Sequence, residues 1–371
     1  MTSTPTALHA LHEAAGAQFT DFSGWWMPLR YDSDLTEHHR VRQGVGLFDL
    51  SHMAEIMVTG DKAGEFLDYA LSATHSTMEP GRAKYSLILA PDGGILDDLI
   101  VYRLGQDSFL VVANAGNRHT VYDALSDRSN RFSVEVVDRT DQTVMVAVQG
   151  PDSQKVMEAL PHLDATAPLD GLGYYRITTA TWSGHDVLIA RTGYTGEDGF
   201  ELYIDTDAGA ALWEALISAG APWDIAPCGL AARDTLRLEA GMPLYGHELT
   251  ADIHPVQAGL GRSVDKTKDE FVGKGSQPAP DARVLVGITA QGRRAARADY
   301  PVTDVEGNVI GVVTSGALSP TLGYPIHMAY VDADYFSDPG TELMLDVRGT
   351  TLPGTVTRLP FYTRRKDQSH G

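Results

Sequence analysis

Two aspartates stand side by side in GGILDD (93–98), and the apolar run LIVYR follows at once. Adjacent carboxylates repel, so a fold that carries them into a buried strand must give each a separate task. Side chains alternate along a strand, which sends Asp97 and Asp98 to opposite faces. One of them can look into a cleft while the other meets solvent or caps a backbone donor. A carboxyl in a cleft, aimed at a nitrogen or at a developing cation, can move a proton or stabilise charge. A turn with two strand-entry acids is the plain alternative.

Three further stretches carry candidate chemistry. RTGYTGEDGFE (191–201) sets Gly193, Gly196 and Gly199 among the acids Glu197, Asp198 and Glu201. Glycines there permit positive φ and close backbone approach to a flat ligand. The spacing is not the GxGxxG fingerprint and a strand follows, which argues against a phosphate cradle; an acidic hairpin turn is equally compatible. In GLAARDTLRLEAG, Arg233 and Arg237 lie four residues apart on one helix face, with Asp234 pointing elsewhere. Guanidinium groups on a half-buried helix need carboxylate partners or an anionic or carbonyl-bearing ligand. GLFDLSHM gathers Asp49, Ser51 and His52, but neighbours on a strand do not converge as a triad and no GxSxG elbow is present. A capping Asp and a structural His are the expected roles. The remaining histidines lack HExxH-type spacing, so no metal is indicated.

The elements that must position these residues are legible by period. ALHALHEAAGA and DLTEHHRVRQG read as helices flanking an aromatic-rich turn, FTDFSGWWMPLRY. KAGEFLDYALS is helical. KYSLILA, ILDDLIVYRL and FLVVANA are β-rich runs separated by turn residues, and the helix NRHTVYDALSDR closes them into an α+β unit. A second α+β stretch covers about 143–260. VDKTKDEFVGKGSQPAPDA reads as a surface connection. Beyond Arg283 only short strands follow, as in a small barrel or sandwich.

The 371 residues are enough for two or three domains, and 43% hydrophobic with 21% charged residues is a globular composition. A net charge of −20 argues against nucleic acid and against an anionic membrane surface as partners. The one cysteine, Cys228, excludes an internal disulfide and fits a reducing, cytoplasmic setting. The first residues do not read as a signal or transit peptide, and no window has the length and apolarity of a membrane span.

DFSGWWMPLRY, GLFDLSHMAEIMVTG, GGILDDLIVYR, VVANAGN, VAVQGP, RTGYTGEDGFELYI, GLAARDTLRLEAGMPLYGHEL and VTSGALSPTLG occur in that order. Together they resemble aminomethyltransferase, the T-protein of the glycine cleavage system, over about residues 8–363. The resemblance implies an α+β multidomain cloverleaf around a central folate hole. Residues 1–54 and 143–260 would form one discontinuous domain, 55–142 a ferredoxin-like insert, 261–282 a connection and 283–371 a C-terminal all-β barrel. The implied reaction moves the methylene carbon of an aminomethyl group on dihydrolipoyl H-protein to tetrahydrofolate, with no metal. Products are 5,10-methylenetetrahydrofolate, ammonia and dihydrolipoyl H-protein.

By motif position, the resemblance makes Asp98 the catalytic carboxylate and Glu201 and Arg233 folate ligands. Tyr85, Asn114 and Tyr194 fall in matching motifs that line the hole. Arg297 matches a barrel arginine facing the substrate or lipoyl arm, and Arg293, Arg294, Arg364, Arg365 and Lys366 are candidates for a basic rim that receives the carrier. Animal members place a Tyr near the C-terminus beside folate; here the aligned position is about Lys366, and Tyr362 is off register. EFVGKGSQ is also shortened. Two alternatives stay open: another tetrahydrofolate-dependent demethylase of this fold, and a non-catalytic folate-binding protein. The missing GxGxxG disfavours an oxidase version, and the missing KGC-x-x-GQE stretch disfavours the iron–sulfur assembly version.

Overall fold

A computed structural model describes residues 3–333 and 337–364. Strand Gly46–Asp49 does not pair with its neighbours in sequence. It lies antiparallel to Thr143–Gln149, with Phe48 opposite Ala147, and so joins a seven-stranded sheet whose other strands all come from residue 143 onward. Between these two strands the chain builds a separate five-stranded antiparallel sheet. Its order is Ala83–Leu89, Ile95–Arg103, Ser108–Ala113, Ala54–Thr59, Glu135–Asp138.

Period-2 alternation decides what each sheet buries and what it offers. On Gly199–Asp205, Phe200, Leu202 and Ile204 pack under helices Ser153–Ala159 and Thr206–Gly220 with Val144, Val146, Leu212 and Leu216. The intervening Glu201 and Tyr203 point the other way. On Ile95–Arg103, Leu99 and Val101 pack under helices Ala63–Ala70 and Arg118–Ser129 with Phe66, Leu67 and Val121. Ile100 and Tyr102 take the opposite face. The two offered faces meet in a shared apolar layer of Phe48, Tyr102, Leu110, Val112, Met145, Tyr203 and Leu236. The site opens in this seam.

Helix Leu230–Glu239 runs along the seam and stops at Ala240, where Gly241 takes φ +67°, the left-handed conformation that a helix end favours in glycine. Helix Asp34–Gln43 begins at Ser33, whose hydroxyl accepts from the Thr36 N–H at 3.1 Å. Beyond the seam, Val284–Ala290, Pro325–Val331, Val309–Leu318, Pro301–Thr303, Glu342–Val347 and Thr350–Thr357 close into a six-stranded barrel around Ile288, Val302, Val313, Leu343, Leu345 and Val356. Leu238 packs against Ala317, Ile326 and Met328 and seats the barrel on the helix.

A buried ionic cluster locks this joint. Arg42 donates to Glu239 at 2.8 and 3.1 Å, to Glu197 at 3.0 Å and to the Thr195 carbonyl. Glu239 also accepts from the Ser319 and Thr321 hydroxyls and lies 3.3 Å from His38. The Tyr362 ring covers the Arg42 guanidinium at 4.1 Å.

Two expectations need correcting. FTDFSGWWMPLRY is a β-hairpin, Gln18–Phe22 against Trp25–Arg30, because Ser23 and Gly24 both adopt positive φ and make a two-residue turn that matches strand twist. Residues 261–282 are more than a surface connection. Phe271 packs among Leu87, Leu89 and Ile95, and the Lys268 ammonium donates to the carbonyls of Asp68, Leu71 and Ala73. Among the described residues, no helix is long and apolar enough to cross a membrane.

Candidate functional site

One cavity of about 650 Å³ lies in the seam, and Asp98, Glu201, Arg233, Tyr85, Asn114 and Tyr194 all line it. Strand alternation delivers Asp98 to the cavity and Asp97 to the opposite side. The Asp98 carboxylate accepts from the Tyr85 hydroxyl at 3.0 Å and from the Asn114 amide at 2.8 Å. Burial pushes Asp98 up to about 6, against those two donors, which favour its charged form. Asp97 is not solvated but takes the other expected role and caps a backbone donor. It accepts from the Asn114 backbone N–H and side-chain amide, both at 2.9 Å, and from Asn117 at 2.7 Å. Burial and then the Asp98 charge hold its carboxyl well above the usual range. The two aspartates thus share one amide, Asn114, which fixes their separation.

Of the three acids in the 191–201 loop, only Glu201 reaches the cavity. Glu197 belongs to the Arg42 cluster, and Asp198 accepts from Arg191 and lies 3.4 Å from Arg364. The loop glycines also act differently from expectation. Gly196 alone has positive φ. Gly193 and Gly199 make room for the Gln149 amide, since a Cβ would stand 2.1 and 2.3 Å from its atoms. Glu201 sits on Gly199–Asp205 with its Oε2 bonded to Thr192 at 2.5 Å and to Tyr102 at 3.2 Å; Tyr203 donates on to Tyr102. Among the described residues no hydrogen bond reaches Oε1. Burial raises the carboxyl of Glu201, opposed by the Thr192 bond and the charge of Arg233.

Arg233 and Arg237 share a helix but not a fate. Arg237 is 1% exposed and saturated: Asp234 at 2.8 Å, Glu248 at 2.9 Å and Ser315 at 2.7 Å accept from it. Asp234 therefore does not point elsewhere but folds back on Arg237. Arg233 has no hydrogen-bond or ion-pair partner among the described residues. Its guanidinium stacks at 4.7 Å over Tyr194, whose hydroxyl is tied to the Pro243 carbonyl. Burial lowers the pKa of Arg233, and Tyr194 and Glu201 counter it.

The Asp49, Ser51 and His52 set is no triad. Asp49 binds His12 at 2.9 Å, Thr6 at 2.7 Å and the Ser51 N–H at 2.9 Å. His52, expected to be structural, instead lines the cavity. Tyr102 and Thr192, which hold Glu201, were not singled out by sequence. Tyr102 could have been, because 98, 100 and 102 share one strand face. Arg293, Arg294 and Arg297 are exposed on the segment after Val284–Ala290; Arg297 donates to the Gly316 carbonyl at 3.0 Å, and none of the three borders the cavity. Arg364 is engaged by Asp198 and Tyr174, while Arg365 and Lys366 lie outside the described residues. Tyr362 is at the Arg42 cluster, away from the cavity lining.

Comparison with known proteins gives this geometry a family. The family model of the GCVT N-terminal domain matches residues 8–268, and that of the glycine cleavage T-protein C-terminal barrel domain matches 283–363. The chain is 54% identical to an aminomethyltransferase of Cutibacterium acnes and 54% identical to one of Streptomyces avermitilis, in each case over 97% of this chain and 98% of that protein. Its structure superposes on a crystal structure of the glycine cleavage system aminomethyltransferase T from Bartonella henselae with TM-score 0.89 and 38% identity. That match covers 98% of this chain and 99% of the other. The chain belongs to the glycine cleavage T-protein family of aminomethyltransferases.

Proposed function

We propose that the seam cavity binds tetrahydrofolate as co-substrate. There the protein would pass it the methylene carbon of an aminomethyl group carried on the dihydrolipoyl arm of an H-protein. The observation that carries this reading is Arg233: a half-buried guanidinium with no hydrogen-bond or ion-pair partner among the described residues, facing the same cavity as the Glu201 carboxylate. The fit to a reduced pterin is chemical. Its amidine-like N–H/NH₂ edge suits a carboxylate, and its carbonyl oxygen suits a guanidinium. Phe22, Tyr85, Tyr175 and Tyr194 supply flat aromatic walls, and the cavity volume is within the usual range for small-ligand sites.

Tetrahydrofolate, as co-substrate, supplies the two nitrogens that end up bonded to the methylene carbon. The balance is one aminomethyl thioether plus tetrahydrofolate, giving one thiol, one ammonia and 5,10-methylenetetrahydrofolate. Asp98 would stabilise positive charge as the carbon leaves sulfur and nitrogen, and would hold and return a proton at its carboxylate oxygens. A carboxyl near 6 is suited to both tasks at neutral pH. Tyr85 and Asn114 orient it. Asp97 holds Asn114 from behind. The exposed Arg293, Arg294 and Arg297 are the proposed contacts for the carrier, and a cytoplasmic location fits the lone buried cysteine.

The test is direct. Purified protein is mixed with tetrahydrofolate and aminomethyl-loaded H-protein, and methylenetetrahydrofolate and ammonia are measured. Equal yields of both support the reading; neither product above the protein-free rate would end it.

A further inference from the structure

His52 lines the cavity with no role in the reading above. It is 1% exposed, borders the same cavity as Asp98, Glu201 and Arg233, and its Nδ1 is sealed from solvent with no hydrogen-bond partner. Among the described residues no hydrogen bond reaches either ring nitrogen. Its one aromatic neighbour, Phe22, meets the ring edge-on at 5.6 Å and offers no acceptor. An unpaired buried polar group typically costs about 1–3 kcal/mol, and an apolar ring of similar size would fill the space without that cost.

Other buried polar groups share the orphaned state, so the cavity is what sets His52 apart. Among the described residues neither nitrogen of His75 has a hydrogen-bond partner, nor does either carboxyl oxygen of Glu55, but neither residue borders the cavity. His52 does, and the groups beside it favour a neutral ring. Burial first, and then the positive charge of Arg233, push it down to about 4. A neutral imidazole carries one donor and one acceptor, unlike the acceptor-only Glu201 and donor-only Arg233. The cavity therefore offers three chemically distinct polar contacts. A reduced pterin, which presents N–H donors, ring-nitrogen acceptors and a carbonyl together, can use all three.

We propose that His52 is a direct ligand contact, a neutral imidazole that hydrogen-bonds bound tetrahydrofolate and completes the polar set formed by Glu201 and Arg233. The inference rests on the folate reading above. It predicts that Nε2, the ring nitrogen that is not sealed off, gains a partner only when ligand is present.

Three variants test it by tetrahydrofolate calorimetry. His52→Phe keeps the ring volume and removes both nitrogens; His52→Asn and His52→Gln replace Nδ1 and Nε2 respectively with amide groups. The expected result is at least about a tenfold loss of affinity in His52→Phe, the scale of one hydrogen bond in a buried site, with a melting temperature no lower than wild type. At least one amide variant should recover affinity to within about threefold. Affinity unchanged in His52→Phe overturns the inference, as does a loss that neither amide repairs, which would mark a steric role. Imidazole ¹⁵N chemical shifts of the wild-type protein, with and without tetrahydrofolate, decide the matter even if a variant does not fold. They should move toward hydrogen-bonded values on ligand addition, and unmoved shifts overturn the inference. If wild type itself fails to bind tetrahydrofolate, the folate reading falls and this inference with it. If wild type binds and only the His52 results fail, the folate reading stands.

Discussion

The protein holds two clusters of charge that involve helix Leu230–Glu239, and they obey opposite rules. At the barrel joint, Arg42, Glu197, Glu239 and His38 satisfy one another, and Glu239 sinks to about 2. Burial alone would raise it, but the bonds from His38 and Ser319 and the Arg42 charge outweigh burial. In the seam cavity, Arg233 has no carboxylate partner among the described residues, and Asp98 rises to about 6. The same residue types are saturated in one place and left wanting in the other. A saturated cluster fixes domains; an unsaturated one awaits a ligand. Arg237 and Arg233, one turn apart, show the same contrast within a single helix.

Exchanging the consequences of these clusters is the strongest way to break the comparison. Arg42→Met leaves two carboxylates buried without their cation and should destabilise the fold by about 3–5 kcal/mol, because a broken buried pair strands a charge. Tetrahydrofolate affinity in the remaining folded protein should hardly change. Arg233→Met should do the reverse: affinity falls by about 2–5 kcal/mol while the melting temperature holds or rises. Calorimetry and thermal unfolding on both variants read this out, and parallel losses in both would erase the distinction. Glu239 adds a pH signature. Its folded pKa is depressed, so its contribution is present above the unfolded carboxylate range near 4 and is lost as pH falls toward 2. Glu239→Gln should flatten acid unfolding over that window.

Next in size is Asp98→Asn, with an expected rate loss on the order of 10²-fold or more and folate binding largely kept. Because the folded pKa is raised, ionised Asp98 costs stability: its favourable contribution is complete below pH 4 and gone above about 6. At pH 7.5 the Asn variant should therefore be the more stable protein, by about 1–3 kcal/mol. Asp97→Asn should cost far less rate, although it turns an amide toward the donors of Asn114 and Asn117 and should lower the melting temperature. Equal rate losses in the two variants would mean that the wrong carboxylate has been given the chemistry.

A smaller effect concerns the acid limb of activity. If ionised Asp98 does the work, the rate should fall as pH drops through about 6. The Tyr85 hydroxyl favours the charged form, so Tyr85→Phe should move that limb to higher pH. A limb that stays in place, or moves down, would show that another group controls it.

Much of this was legible in the sequence, for identifiable reasons. Strand period separated Asp97 from Asp98, and helix spacing singled out Arg233 and Arg237. What period cannot tell is which partner arrives from elsewhere. Glu248 and Ser315, which saturate Arg237, come from 11 and 78 residues away, so only the fold shows that Arg233 is the one left over. The hairpin at 18–30 was hidden because its turn is Ser-Gly, a weaker signal than Asn-Gly. The sequence suggests a structural His52, because the role proposed for it depends on what its ring lacks, and a missing partner has no sequence signature.

The contrast with the smallest expected effect lies outside both clusters, on the surface. A chain of net charge −20 that is to receive an anionic folate tail and, by family expectation, an acidic lipoyl carrier needs a local positive area. Of the two basic stretches, the tail has an engaged member: Arg364 sits against Asp198 and Tyr174. Arg293 and Arg294 are exposed and have no ion-pair partner among the described residues, so their field reaches solvent. Replacing both with Ser should raise the apparent KM for the carrier several-fold, about three- to tenfold for loss of rim charges that steer encounter, with kcat unchanged. Such steering is screened beyond ~8 Å at physiological salt. The gap between variant and wild type should therefore close as salt rises, chiefly because wild type slows. A KM and salt response identical to wild type would reduce these arginines to ordinary solubilising charge, and the carrier would have to dock on another face.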